Sequence, residues 1–153
     1  MTEATATKPT TSQGTRQFCT FTLGDLLLGI EVERVQEVIR EQALSHVPKA
    51  PDTVKGLMNL RGQIVTAIDL RRRFGLEAGE EGSRAMHVVV FHPDGAVSLL
   101  VDSIGDVVEL PHDEVAPPPP NISGRARELV RGVVPLESEL LLVLDTTAAC
   151  SIS

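Results

Sequence analysis

Short runs in which apolar and polar residues alternate fill most of this chain, and that period of two marks strands with one buried face. Gln17–Leu23 and Leu26–Val32 are the first two runs. Between them stands Gly24-Asp25, a pair whose tolerance of unusual backbone angles suits a tight hairpin. Further strands are predicted at Ala43–Val47, Val54–Asn59, Gln63–Asp69, Ala85–His92, Ala96–Val101, Val107–Leu110, Leu129–Pro135 and Glu139–Asp145. Turn residues such as His92-Pro93-Asp94-Gly95 separate several of them. Helical patterns are few: Glu33–Ile39 and Asp69–Phe74 each fit a turn or two, with Gly75 placed as a stop after the second. Many short strands with short helical connectors predict an all-β fold, either barrels or a sandwich.

The pattern also repeats. Val54-Lys55-Gly56-Leu57-Met58, followed by Leu60, Ile64, Ile68 and Asp69, returns at one constant offset as Val130-Arg131-Gly132-Val133-Val134 with Leu136, Leu140, Leu144 and Asp145. Ile30, Val32, Glu33, Val35, Glu37 and Val38 return as Leu99, Val101, Asp102, Ile104, Asp106 and Val107, at a slightly shorter offset. The mismatch between the two offsets places an insertion between Val107 and Val130, where Pro117-Pro118-Pro119-Pro120 reads as a surface loop. Generic alternation makes any two hairpins look alike, but it does not match glycine with glycine and aspartate with aspartate. Two similar β-modules are therefore predicted, over residues 17–82 and 83–149. Each is too small to bury a comfortable core alone, so the two are expected to pack together with a groove between them. Residues 1–16, rich in Thr and Ala, have little to bury and are expected to form a disordered tail.

Composition narrows the function. With 42% hydrophobic residues, four Phe and neither Trp nor Tyr, the core must be Val, Leu and Ile. A net charge of −7 and a pI near 5.0 argue against a nucleic-acid partner, which would call for a basic face with stacking aromatics. Cys19 and Cys150 show no metal-ligand spacing and are too few for a disulfide framework. No apolar run approaches the roughly 20 residues of a membrane helix, and the opening residues lack the apolar stretch of a secretory signal. A cytoplasmic home is expected. Catalysis finds no support: His87 and His92 lie at an odd separation that sends them to opposite strand faces, and neither a phosphate-cradling loop nor a Gly-x-Ser-x-Gly elbow occurs. No catalytic residue, metal or cofactor is expected.

If the repeat supplies the fold, function belongs where the copies diverge. Asn59-Leu60-Arg61-Gly62 in the first copy faces Pro135-Leu136-Glu137-Ser138 in the second, an arginine turn against an acidic one. Arg61 is predicted to pair with Glu37 beside Val35, giving an apolar patch with a charged rim that suits an amphipathic helix. Arg71-Arg72-Arg73 reads as a solvated helix face, and Pro117–Pro120 as a rigid spacer without a binding role.

The segment from Lys55 to Arg71, with Asn59-Leu60-Arg61-Gly62 within it, resembles the most characteristic stretch of the CheW family of chemotaxis coupling proteins. Phe21-Thr22-Leu23-Gly24-Asp25, Gly29-Ile30, Val35-Gln36-Glu37-Val38 and Val101-Asp102 with Ile104-Gly105-Asp106-Val107 extend the likeness over residues 17–146. The resemblance implies two five-stranded, SH3-like β-barrels. It also implies a non-enzymatic adaptor that binds a chemoreceptor's cytoplasmic tip and the regulatory domain of a CheA-type histidine kinase. By the same resemblance the receptor-facing positions are Val35, Glu37, Gly56, Arg61 and Val107. Kinase-facing residues are not assigned. The free protein is expected to be a monomer that meets membranes only through receptors. One departure stands out: the family often carries proline where this chain reads Ile64-Val65-Thr66-Ala67, which bears on a strand edge because proline removes a donor.

Overall fold

The computed structural model describes residues 15–40, 43–76, 86–93, 95–111, 114–120 and 124–150. The strands are β1 (Thr15–Leu23), β2 (Leu26–Glu31), β3 (Val35–Arg40), β4 (Val54–Leu60), β5 (Gln63–Asp69), β6 (Met86–Val90), β7 (Val97–Val101), β8 (Ser103–Pro111), β9 (Val130–Pro135) and β10 (Leu140–Leu144). Three short helices are α1 (Leu70–Arg73), α2 (Arg125–Leu129) and α3 (Thr146–Cys150). Two five-stranded sheets result. One, the terminal sheet, has the order β9-β10-β2-β1-β8; the other, the central sheet, has the order β4-β5-β7-β6-β3.

The sequence repeat is written into the ladders. Val54↔Ile68, Gly56↔Ala67 and Met58↔Val65 recur, at the offset that relates Val54 to Val130, as Val130↔Leu144, Gly132↔Val143 and Val134↔Leu141, and the same register shift follows the first pair in each hairpin. Phe18↔Glu31, Cys19↔Ile30 and Phe21↔Leu28 recur, at the offset that relates Ile30 to Leu99, as His87↔Leu100, Val88↔Leu99 and Val90↔Val97. The matched aspartates have a local reason. Asp69 Oδ1 accepts the Arg72 N–H at 3.4 Å and Asp145 Oδ1 accepts the Ala148 N–H at 3.1 Å, so each caps a short helix after its hairpin. The matched glycines have another. A Cβ on Gly56 would lie 2.8 Å from Ser45 O, and one on Gly132 would lie 2.6 Å from Ala116 O. At both places a passing segment pairs with the outer edge of the hairpin, through Ser45↔Leu57 and Ala116↔Val133. These bridges cover the exposed edges of β4 and β9.

The predicted boundary at 82/83 lies outside the described residues, and the strands on either side of it are not sorted by sheet. The first copy gives β1 and β2 to the terminal sheet and β3, β4 and β5 to the central one; the second gives β6 and β7 to the central sheet and β8, β9 and β10 to the terminal one. Each sheet is therefore built from both copies. The reason is burial: the main core lies between the sheets and draws Phe21, Leu28, Ile30 and Ile68 from one copy and Leu99, Val133 and Leu142 from the other. A smaller core sits inside each sheet, with Phe18, Val134 and Leu141 in one and Met58, Val65 and Val89 in the other. Two packed five-stranded sheets match the expected all-β fold, and the ladders order each sheet from one outer strand to the other.

Several local expectations change. Glu33–Ile39 is not a helix: only Val32–Arg34 forms a 3-10 turn, and Val35–Arg40 pairs antiparallel with β6. Its β-branched residues and an available sheet edge override the weak helical pattern. Ala43–Val47 keeps a single bridge at Ser45 instead of a strand, and Leu129 closes α2 instead of opening β9. Thr15 and Arg16, expected within a disordered tail, belong to β1 and pair with Pro111 and Leu110; residues 1–14 lie outside the described residues. The insertion is more than a surface loop, since Ala116 bridges Val133 and α2 lies within it.

Candidate functional site

The β4–β5 turn has only two residues, Arg61 at φ 54° and Gly62 at φ 88°, between the paired Leu60 and Gln63. Positive φ at both positions is the type I′ geometry that matches strand twist. Asn59 Oδ1 accepts the Gly62 N–H at 2.8 Å and fixes the turn. A backbone penalty of roughly 1–2 kcal/mol attends most non-glycine residues in the left-handed region, and Asn is the residue such turns normally choose. Arginine is thus held here at a cost to folding.

Its guanidinium forms an ion pair with Glu37 Oε2, the side chains being 68% and 20% exposed. Gln36 Nε2 donates to the same oxygen at 3.4 Å. Glu37 stands on β3 and Arg61 at the tip of β4, the two outermost strands of the central sheet, so the pair links the two ends of the strand order. In the other copy the equivalent positions are Asp106 and Glu137, two acids that cannot pair. This charge bridge is therefore a feature that the copies do not share.

The five sequence-predicted positions do not all converge. Val35 shares β3 with Glu37 and packs, half-buried, against the main core. Gly56 lies on the same sheet, and what the geometry gives it is close packing against Ser45. Val107 sits on β8 of the terminal sheet, 56% exposed. Sequence reasoning missed Ile64, 61% exposed at the base of the Arg61 turn and paired with Asn59. The signal was present, because Ile64-Val65 breaks the alternation of β5 and only one of the two can face inward.

The arginine run departs from the expected solvated face. Arg71 is partly buried: Nε and Nη2 grip Asp102 at 2.8 and 2.6 Å, and Gly24 N–H donates to the same carboxylate at 2.7 Å. The hydrogen bonds from Arg71, opposed by partial burial and helped by Gly24, hold the Asp102 carboxyl below the ordinary range. Arg73 reaches the Ala148 carbonyl at 2.5 Å. Glu31 is gripped by Arg16 at 2.7 Å and Arg131 at 3.2 Å. The contacts of Arg71, Arg73 and Arg131 tie the copies together. Burial raises the Cys19 thiol and pushes Cys150 up to about 11, so neither is poised as a nucleophile. His87 is fully buried, with Nδ1 2.6 Å from Ser98 Oγ.

A CheW-like domain model matches residues 17–151. The chain belongs to the CheW family. Among relatives, the chemotaxis protein CheW of Treponema pallidum is 34% identical over 134 residues, 84% of this chain and 78% of that one. The chemotaxis protein CheW of Klebsiella aerogenes is 31% identical over 130 residues, covering 85% and 78%. The crystal structure of the scaffolding protein TtCheW from Thermoanaerobacter tengcongensis superposes with a TM-score of 0.77 at 25% identity, covering 85% of this chain and 88% of that one. Membership of this family agrees with the two packed five-stranded sheets and with a chemotaxis scaffold rather than an enzyme.

Proposed function

We propose that this chain is a chemotaxis adaptor that holds a chemoreceptor's cytoplasmic tip and the regulatory domain of a CheA-type histidine kinase in one complex. It works by position alone: each partner's conformation biases the other through the adaptor that both grip. The observation that carries the reading is the Arg61–Glu37 bridge, a charge pair placed where the copies diverge, with exposed Ile64 beside it. An exposed apolar side chain at the base of a turn that carries a guanidinium–carboxylate pair offers an amphipathic receptor helix both an anchor and a register. Val35, Glu37, Arg61 and Val107 are the proposed receptor contacts, with Gly56 shaping the strand behind them. The family's chemotaxis role supports this reading over a nucleic-acid module, as does the acidic charge of −7.

The test is a sizing-column experiment with a receptor-tip fragment and a kinase regulatory domain from the same organism. The reading expects co-elution with each, and expects Arg61→Ala to weaken the receptor complex while leaving the kinase complex intact. Equal loss of both complexes would sink the assignment of this turn to the receptor.

A further inference from the structure

At the junction of the two copies, away from the Arg61 turn, three guanidinium groups line one surface cavity of about 380 Å³. Arg72 and Arg73 come from α1 and Arg125 from α2, and Asp52, Thr53 and Glu128 are among the other lining residues. The repeat shows what is special here. Asp52 and Glu128 occupy equivalent positions in the two copies, whereas the equivalents of Arg72 and Arg73 are Ala148 and Ala149. Arg72 and Arg73 of the first copy and Arg125 of the second meet across the junction.

The existing contacts leave donors to spare. Arg73 Nη2 donates to Ala148 O at 2.5 Å and Arg125 Nη1 to Arg72 O at 3.2 Å, so backbone carbonyls fix both side chains without neutralising them. Arg72 meets Asp52 at only 3.7 Å, and Asp52 is 88% exposed, a pair of little worth that an incoming ligand displaces cheaply. Among the described residues Arg73 Nε is a buried side-chain donor with no hydrogen-bond partner. Such a donor costs free energy until an acceptor arrives.

We infer that this cavity is an oxyanion site for a phosphate group. Three forks set on two helices suit a tetrahedral anion, which offers oxygens in several directions; a planar carboxylate is satisfied by one fork. The phosphate is either free or carried on a phosphorylated side chain. The site stands apart from the receptor reading and does not depend on it.

The test is a titration of the isotope-labelled full chain with inorganic phosphate and, separately, with O-phosphoserine, at constant ionic strength set by chloride. Arginine Nε–Hε resonances are followed by NMR. The inference expects saturable shifts at Arg72, Arg73 and Arg125, and an affinity lowered about tenfold or more in the Arg72→Gln/Arg125→Gln double variant. Both replaced side chains are surface groups, and an unchanged backbone spectrum of the variant certifies its fold. Tighter binding of O-phosphoserine identifies a phosphorylated side chain as the source, and equal or weaker binding identifies free phosphate. Shifts that fail to saturate, that spread equally to Arg34 and Arg131, or that survive in the double variant would overturn the site.

Discussion

Replacing Arg61 by asparagine separates folding from function at one position. The folded chain holds Arg61 at φ 54°, where a non-glycine residue other than Asn or Asp costs roughly 1 kcal/mol or more. Asparagine accepts that conformation and removes most of the penalty. Against this gain stands the lost ion pair to Glu37, whose arginine is 68% exposed; such pairs contribute about 0.2–1 kcal/mol. The two terms nearly cancel. Arg61→Asn is therefore expected to leave stability within about 1 kcal/mol of the parent, read as the midpoint of urea unfolding at unchanged slope. Titration calorimetry with a receptor-tip fragment should show affinity falling by about tenfold or more, as loss of a charge-assisted contact at an interface centre does. Destabilisation beyond about 2 kcal/mol would refute the reasoning, because the bridge would then be a structural strut rather than a binding feature.

Other outcomes follow from the same geometry. A double-mutant cycle on Arg61→Ala and Glu37→Ala should show non-additive effects on receptor affinity, and full additivity would break the proposed coupling. Gly56→Ala and Gly132→Ala push a Cβ to within 2.8 and 2.6 Å, respectively, of a carbonyl oxygen, so both should destabilise by roughly 1–3 kcal/mol in chemical denaturation; a neutral result at either site would mean the passing segment yields. Asp102→Asn should lower stability near neutral pH. Because the folded Asp102 carboxyl titrates below its ordinary value, its contribution is present above the unfolded-state pKa and disappears as pH falls through the folded one. The gap between parent and variant should accordingly close in the acid limb, below about pH 4, and a gap that persists there would contradict the Arg71 grip. Cys19 and Cys150, both buried with raised thiol pKa, should label with a thiol reagent only at the rate of unfolding; fast native labelling would contradict their burial.

Much of this architecture was legible in the residues. The repeat needed no coordinates, because Val54, Gly56 and Asp69 return as Val130, Gly132 and Asp145, and each match has a physical cause: a register shift, a close backbone approach and a helix cap. The Arg61–Glu37 pair was equally readable, since a charge stands at the turn where the copies part. The exchange of strands between sheets was not. Ladder partners depend on which faces must be covered, and two copies with equivalent apolar faces satisfy them equally well within a copy or across copies as far as periodicity can tell. Val35–Arg40 misleads for a related reason: its pattern fits a short helix locally, and only the waiting edge of β6 decides for a strand. The grip of Arg71 on Asp102 joins residues from different copies, and their proximity arises from that exchange, so the run reads as a solvated face when the chain is taken alone.

The central claim is that one adaptor holds both partners at once. The most direct measurement is sizing-column chromatography with multi-angle light scattering on an equimolar mixture of this chain, a receptor-tip fragment and a CheA-type regulatory domain. The account predicts a ternary species whose mass requires all three, which loses the receptor fragment but keeps the kinase domain when Arg61 is replaced by Asn. If receptor and kinase fragments instead exclude each other from the adaptor, so that only binary complexes elute, the coupling role is contradicted.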